Sequence, residues 1–309
     1  MKVSIVLCSY NGEKYIEEQL DSLRVQTRPA DEVMIFDDRS TDRTVKIVQD
    51  FIRKYELAGW SIEVNSENKG WKRNFMEGMQ KASGDLIFPC DQDDVWMRNK
   101  IEKMSEIIEK NNNILLLTAN YKSSYVCGEG YRKVSNVFTR RNRDDESVWK
   151  IEADKKGLYI MRPGCVMAFR RELLDLCLRY CFDEYPHDAL LWRTAVIAGG
   201  LYRYEYPCIV WRRHEDNASG QKEHQVNQRL ENICYYHEVC DKLIQLAKDK
   251  GDQEKLVLLK KIKKFWILRK HFYETRSIRD AVILMTRYLG YYLTLKMALG
   301  DLYIVMRNK

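Results

Sequence analysis

The sequence predicts an α/β fold, a mostly parallel sheet flanked by helices, with a helical appendage at its C-terminal end. Three observations predict it. Short apolar runs, among them Val3–Cys8, Glu32–Phe36 and Leu86–Pro89, alternate with segments of helical spacing through the first hundred residues, the pattern of parallel strands joined by crossover helices. Each of these runs ends at a polar cluster: Tyr10-Asn11, Asp37-Asp38 and Asp91–Asp94. From Val226 onward only helical periodicity is present. A chain of 309 residues has room for one large domain or two unequal ones, and we expect a sheet domain over 1–220 and a helical region over 221–309.

The elements follow in order. Val3–Cys8 is an almost unbroken apolar run closed by Ser9-Tyr10-Asn11-Gly12, which reads as a buried strand and not as a secretion signal. Glu13–Gln26 carries Tyr15, Ile16, Leu20 and Leu23 on one helical stripe. Glu32–Phe36 is a second buried strand, and Ser40-Thr41-Asp42 opens a helix whose apolar positions include Val45, Val48 and Phe51. Ser61–Asn65 is a strand, Trp71–Ala82 a helix behind Asn68-Lys69-Gly70, and Leu86–Pro89 the fourth strand. No Gly-x-Gly-x-x-Gly accompanies them, so a standard dinucleotide-binding site is not expected. Ile114–Asn120 reads as a strand and Tyr121–Lys156, with Arg140-Arg141-Asn142-Arg143, as a polar loop or insertion. Cys165–Phe169 is apolar, Glu172–Tyr180 and Ala189–Ala198 are helical, and Ile209–Trp211 is a short strand.

Hydrophobic content of 45% and charged content of 31% fit a globular protein, and five prolines leave little room for long disordered linkers. Nine cysteines without a C-x-x-C pair show no disulfide framework, which points to a reducing, cytoplasmic setting. The net charge of +7 is uneven: residues 221–309 hold 18 Lys and Arg against 10 Asp and Glu, so the basic excess lies in the tail.

The chemistry is concentrated at the strand ends, where ligands sit in open α/β sheets. Asp91, Asp93 and Asp94 place three carboxylates within four residues after a buried strand. Like charges at that spacing raise one another's pKa unless a cation sits among them, and hard oxygen ligands suit Mg²⁺ or Mn²⁺ shared with a phosphorylated substrate. The same run also reads as an acidic surface turn, with Asp94 capping the next helix. Tyr10, Asn11 and Asp38 can be turn residues or ligand contacts. Lys69, Lys72 and Arg73 behind Asn68, and Arg212 and Arg213, read as solvated charge or as phosphate contacts.

Seven stretches in order resemble the inverting family-2 glycosyltransferases of GT-A fold, nearest to bacterial rhamnosyltransferase-type members that build surface polysaccharides. They are Val3–Tyr15, Phe36–Thr44, Asn68–Asn74, Cys90–Trp96, Pro163–Cys165, His187–Trp192 and Trp211–Gly220, covering residues 1 to about 220. The resemblance implies a metal-dependent enzyme that moves a sugar from a nucleotide donor, dTDP-L-rhamnose or a UDP-hexose, to a bacterial surface glycan or lipid-linked oligosaccharide. It implies a nucleotide-binding half over 1–100 and an acceptor half over 101–220. It places Asp93, Asp91 and His214 on the metal, Asp38 at the pyrimidine, Tyr10 against the base, and Asn11 near the ribose. Asn68, Lys72 and Arg213 fall at ribose or diphosphate, and Asp91 also contacts ribose or the metal's water shell. Asp188 is the implied general base, although its position at a helix start also suits a cap. Family members often carry an aromatic pair after His-Asp where this chain has Ala189-Leu190-Leu191-Trp192, positions that would border the acceptor.

The tail lies outside the resemblance. Lys260–Trp266 is basic with interleaved aromatics, and Ala281–Met306 is apolar but broken by Arg287, Lys296 and Asp301, which argues against a simple membrane span. An amphipathic helix pair on anionic lipid, packing on the catalytic domain, or a homo-oligomer interface each fit it. No nucleic-acid recognition motif accompanies the charge. Two non-enzymatic readings remain: a regulatory α/β domain using Asp37-Asp38 as a phospho-acceptor pocket, and a membrane-binding adaptor.

Overall fold

A computed structural model describes residues 1–127, 130–132, 144–180, 185–214 and 226–307. The chain divides into two compact units: Met1–Ile151, Ile160–Ala195 and Gly200–Asn217 form the first, and Glu152–Tyr159, Val196–Gly199 and Ala218–Lys309 the second.

The first unit is built on one sheet. In chain order its elements are β1 (Val3–Ser9), α1 (Ile16–Arg24), β2 (Glu32–Asp37), α2 (Thr44–Lys54), β3 (Trp60–Val64), α3 (Trp71–Lys81), β4 (Leu86–Asp91), β5 (Val95–Trp96), α4 (Lys100–Lys110), β6 (Leu116–Cys127), β7 (Gly130–Arg132), β8 (Val148–Lys150), β9 (Met167–Arg170), α5 (Arg171–Arg179), α6 (His187–Ala198, from Val196 on counted with the second unit) and β10 (Leu201–Arg213). The strand order is β3-β2-β1-β4-β9-β6-β10-β5, with β7 on β6 and β8 on β10. β1, β2, β3 and β4 are parallel, β9 runs against both β4 and β6, and β10 is parallel to β6. All seven residues of β1 are buried, as expected of a central parallel strand covered by helices on both faces. Val3, Ile5 and Leu7 join Ile16, Leu20, Val48 and Phe51 of α1 and α2 in one core.

Three expectations are corrected. Residues 121–127 are not loop: β6 runs on to Cys127, because its polar Lys122, Ser123 and Ser124 still pair in register with Val210, Trp211 and Arg212. The strand expected at Ile209–Trp211 spans Leu201–Arg213, with a bulge between Tyr204 and Ile209 around Pro207, which breaks the period-two signal. Asp94 caps no helix: β5 follows it, and α4 begins only at Lys100. The Arg140–Arg143 run lies outside the described residues.

The second unit contains α7 (Val226–Asp249), α8 (Gln253–Thr275), α9 (Ile278–Thr286) and α10 (Leu295–Arg307). Asp252 caps α8 by accepting from the Lys255 N–H (3.0 Å), and Ser277 caps α9 at Asp280 (3.3 Å). Trp266 stacks on Tyr236 at 4.3 Å, and Phe265 packs against Tyr291 and Tyr292. A fully buried Asp301 ties the unit together: it accepts from Arg269 Nε (2.5 Å) and Nη2 (2.9 Å), Arg229 Nη1 (3.0 Å) and the Tyr273 hydroxyl (2.7 Å). Burial alone would lower the Arg269 pKa, but the Asp301 carboxylate holds it above its usual value. Among the described residues no helix is long and apolar enough to cross a membrane.

Removing one side of such a pair leaves a buried charge uncompensated. Asp301→Ala should therefore lower stability by about 3–5 kcal/mol, read as a lower urea midpoint in helical circular dichroism. Combining it with Arg269→Met should recover a large part of the loss.

Candidate active site

The parallel register brings the strand ends together. Ser9 lies opposite Asp37 and Cys8 opposite Asp91. β10 has the same direction as β4 through β9 and β6, so His214, which follows it, emerges at the same edge.

The first two loops are held largely by their own side chains. Buried Asp37 accepts from Ser9 Oγ (2.7 Å), Ser40 N (2.7 Å) and Ser40 Oγ (2.6 Å). Buried Asp38 accepts from Asn65 Nδ2 (2.9 Å), Lys69 N (2.8 Å) and Gly70 N (2.8 Å), closing the turn in front of α3. Gly70 adopts φ +78° there, a conformation glycine takes without strain. Asn65 continues to Asn74, and Asn74 to the Phe36 carbonyl, a buried chain with no apolar periodicity to reveal it. Asn11 sits at φ 48° and accepts from Thr41 N (2.8 Å); Asn68 accepts from Gly70 N (3.0 Å). Both are turn builders. Gln92 brackets the Tyr10 backbone through two bonds of 2.9 and 3.0 Å, which leaves the Tyr10 ring exposed beside the acidic loop. Both carboxylates of the Asp37-Asp38 pair are thus buried and engaged, which disfavours a phospho-acceptor pocket.

At the end of β4 the carboxylates make two sets of close contacts. Ligand atoms of Asp91, Asp94 and Cys165 lie within 4.8 Å of one another, while Asp93 Oδ2 meets His214 Nε2 at 2.8 Å. Asp94 accepts from the Arg212 N–H (3.1 Å), which clips β10 to this loop. Burial, then Asp93 and Asp188, push the Asp91 carboxyl up to about 7; burial with Asp91 and Asp93 pushes Asp94 up as well.

A buried cation lies beneath them. Lys100 Nζ donates to the Cys165 carbonyl (2.7 Å) and sits 3.2 Å over the Trp96 ring, and burial lowers its pKa to about 8. Sequence reasoning missed it. The available signal was a lysine as the first residue of α4, where the helix dipole disfavours a cation.

Tyr15 carries the other end of the site. Its ring stacks on His214 (4.9 Å) and lies under the Arg212 guanidinium (4.8 Å). Arg212 is buried and donates to Glu18 (2.5 Å), so it is not solvated charge. Arg213 stacks over Trp211 at 4.7 Å. Lys69 and Arg73 both pair with Glu77, at 2.6 and 2.7 Å, whereas Lys72 is half-buried beside Trp71. Residues 215–220, which complete the stretch after His214, lie outside the described residues.

Asp188 stands within the first turn of α6, not at its cap; Pro186 supplies the first carbonyl, to Leu190 N (3.0 Å). One carboxylate oxygen accepts from Ala189 N (2.7 Å), and the group lies close enough to Asp91 to raise its pKa. His187 beside it is buried, with neither ring nitrogen hydrogen-bonded to a described residue. It packs on Phe75 at 4.0 Å and edge-on to Trp71. A Cβ on Gly164 would stand 2.3 Å from His187 Nε2, so the Pro-Gly-Cys stretch leaves room for that ring. Ala189, Leu190, Leu191 and Trp192 are all buried: the segment expected to border an acceptor is core.

Three carboxylates, an imidazole and a single buried ammonium make an acidic excess that a hard divalent cation would balance, and the donor set suits one. The chain belongs to glycosyl transferase family 2, which matches residues 4–176, more than half its length. It is similar to the poly(ribitol-phosphate) β-N-acetylglucosaminyltransferase TarS of Staphylococcus aureus, 34% identical over 119 residues that span 38% of this chain and 20% of TarS. The match therefore covers about a fifth of that relative. It is also similar to the dTDP-rhamnosyl transferase RfbG of Shigella flexneri, 26% identical over 226 residues, 69% of this chain and 73% of RfbG. Among solved structures it resembles S. aureus TarS 1–349 in complex with UDP-GlcNAc (TM-score 0.65, 20% identity, 99% of this chain and 81% of that one). It also resembles the Pyrobaculum calidifontis mannosyltransferase PcManGT with GDP-Man and Mn²⁺ (TM-score 0.52, 17% identity, 99% and 86%). The GT-A fold is thereby established.

The raised Asp91 pKa has a sign. In metal-free protein its ionisation favours the unfolded chain, so stability present below the unfolded value of 3.8 is lost as pH rises to about 7. Asp91→Asn should melt at the same temperature as wild type near pH 4 and higher than it near pH 8. A thermal-melt series with chelator checks this; a pH-independent difference would contradict it.

Proposed function

We propose that the chain is an inverting glycosyltransferase that moves one sugar from a nucleotide donor to a bacterial surface glycan or lipid-linked oligosaccharide. The observation that carries the reading is Asp188, a carboxylate on α6 close to Asp91 at the sheet edge that also holds Asp93 and His214. A displacement at an anomeric carbon needs that pairing: a base for the acceptor on one side, charge stabilisation for the leaving diphosphate on the other.

Each group then has a task. Asp188 takes the proton of the acceptor hydroxyl as its oxygen bonds to the anomeric carbon. The bond from that carbon to the diphosphate oxygen breaks, and the configuration inverts. Asp91, Asp93 and His214 would hold Mg²⁺ or Mn²⁺, which supplies positive charge against the departing diphosphate. The exposed Tyr10 ring lies against the base. Asp38 has lone-pair capacity left after its three bonds and accepts from the pyrimidine N3–H. Asn11 and Asn68 shape the ribose loops, and Lys72 and Arg213 face the phosphates. The match to RfbG over most of both chains supports dTDP-L-rhamnose as donor; the likeness to TarS supports a UDP-hexose as the second candidate. The two compact units are read as catalytic domain and helical appendage. The seven free cysteines among the described residues support work in the reducing cytoplasm.

Screening dTDP- and UDP-sugars for Mn²⁺-dependent hydrolysis identifies the donor. Asp93→Asn should then lower turnover on the order of 10³-fold with the fold intact; near-normal turnover at saturating Mn²⁺ overturns the metal assignment. Asp188→Asn should keep donor affinity and lose transfer, because donor binding does not need the base. Equal losses in both would make Asp188 a donor ligand.

A further inference from the structure

We propose that α9 and α10 form a surface that docks on an anionic lipid bilayer. Each helix turns a polar-anchored face inward and an apolar stripe outward. On α9, Asp280 and Leu284 are buried, while Ile278 and Val282 are 82% and 55% exposed. On α10, Ala298, Asp301 and Val305 are buried, while Leu295, Leu299 and Tyr303 are 61%, 53% and 60% exposed. Ile278 and Asp280 stand about 200° apart around the helix, as do Leu299 and Asp301, so the two sets lie on opposite faces.

The exposed side-chain charge of this stretch has one sign. From Arg276 to the end of the chain the only side-chain carboxylates are Asp280 and Asp301. Both are buried and paired, Asp280 with His271 at 2.5 Å and Asp301 with Arg269 and Arg229. The cations Arg276, Arg279, Arg287 and Lys296 are exposed. This stretch therefore presents apolar side chains and cations with no exposed carboxylate among its described residues. A lipid surface with anionic headgroups complements both features: the stripes enter the headgroup boundary and the cations meet phosphate. A second copy of the chain complements only one of them, because a two-fold contact through this surface would set cation against cation. This inference stands apart from the sugar-transfer reading, since no residue of the strand-edge site takes part in it.

Flotation of the full-length protein with vesicles tests it, comparing phosphatidylcholine alone with phosphatidylcholine containing about 30% phosphatidylglycerol. The protein should float with the anionic vesicles only, and lose most of that binding at about 0.5 M salt. The triple variant Arg279→Glu, Arg287→Glu, Lys296→Glu should lower partitioning by on the order of 10²-fold or more. Leu295→Ser with Leu299→Ser should lower it while leaving the helical circular dichroism at ambient temperature intact, since both positions are exposed. Equal binding to neutral and anionic vesicles, or no flotation of the wild type, overturns the proposal. A dimer in sedimentation that Leu295→Ser with Leu299→Ser dissolves, without flotation, assigns the surface to a second copy instead. Donor hydrolysis measured on the same variants separates a failure here from a failure of the enzymatic reading.

Discussion

The structure is organised by one electrostatic constraint: three carboxylates at the carboxyl end of a buried parallel strand. Asp91, Asp93 and Asp94 cannot all stay ionised there without nearby positive charge or hydrogen-bond donors. The chain answers with an unusual set of arrangements. A lysine is buried at the start of α4 and aimed at the Cys165 carbonyl. The last strand is clipped to Asp94 through the Arg212 N–H, which delivers His214 to Asp93. Even so, Asp91 remains well above the usual carboxylate range. The residual imbalance is an acidic excess that a hard divalent cation would balance.

A second regularity is that many of the polar side chains at the edge serve to build the edge itself. Asp37, Asp38, Asn11, Asn65 and Asn68 make hydrogen bonds that hold the edge loops in place. Tyr15 is the hub of a stack that orients His214 and Arg212 together. The groups we propose to meet a ligand are fewer: the Tyr10 ring, the Asp91, Asp93 and Asp188 carboxylates, His214 and Lys72. Such preorganisation lowers the cost of charge stabilisation when charge develops on a leaving group.

Much of this was legible in the residues. Buried parallel strands read as unbroken apolar runs, so β1, β2 and β4 were found, and with them the shared edge that collects the acidic clusters. Elements that depend on tertiary pairing were not. β6 and β10 continue through Lys122–Ser124 and past Pro207 because each supplies the other's ladder, and no local pattern encodes that. The roles of Arg212, Lys69 and Arg73 needed their partners Glu18 and Glu77, the first distant in sequence. That Lys100 and His187 are buried was not legible, because burial of a charged or polar side chain is a property of the packed structure. In the tail, helical periodicity was plain; that its last two acids are both buried could be seen only in the fold.

The most direct test of the account is nucleotide binding as a function of metal and pH. Calorimetric titration of dTDP and UDP should show affinity at least about tenfold higher with Mn²⁺ than with chelator at pH 8. That advantage should shrink as pH falls through about 7, where Asp91 takes up its proton. Equal affinity with and without the metal, or a metal effect untouched between pH 8 and pH 6, would contradict the claim that the carboxylate cluster is a cation site for a diphosphate.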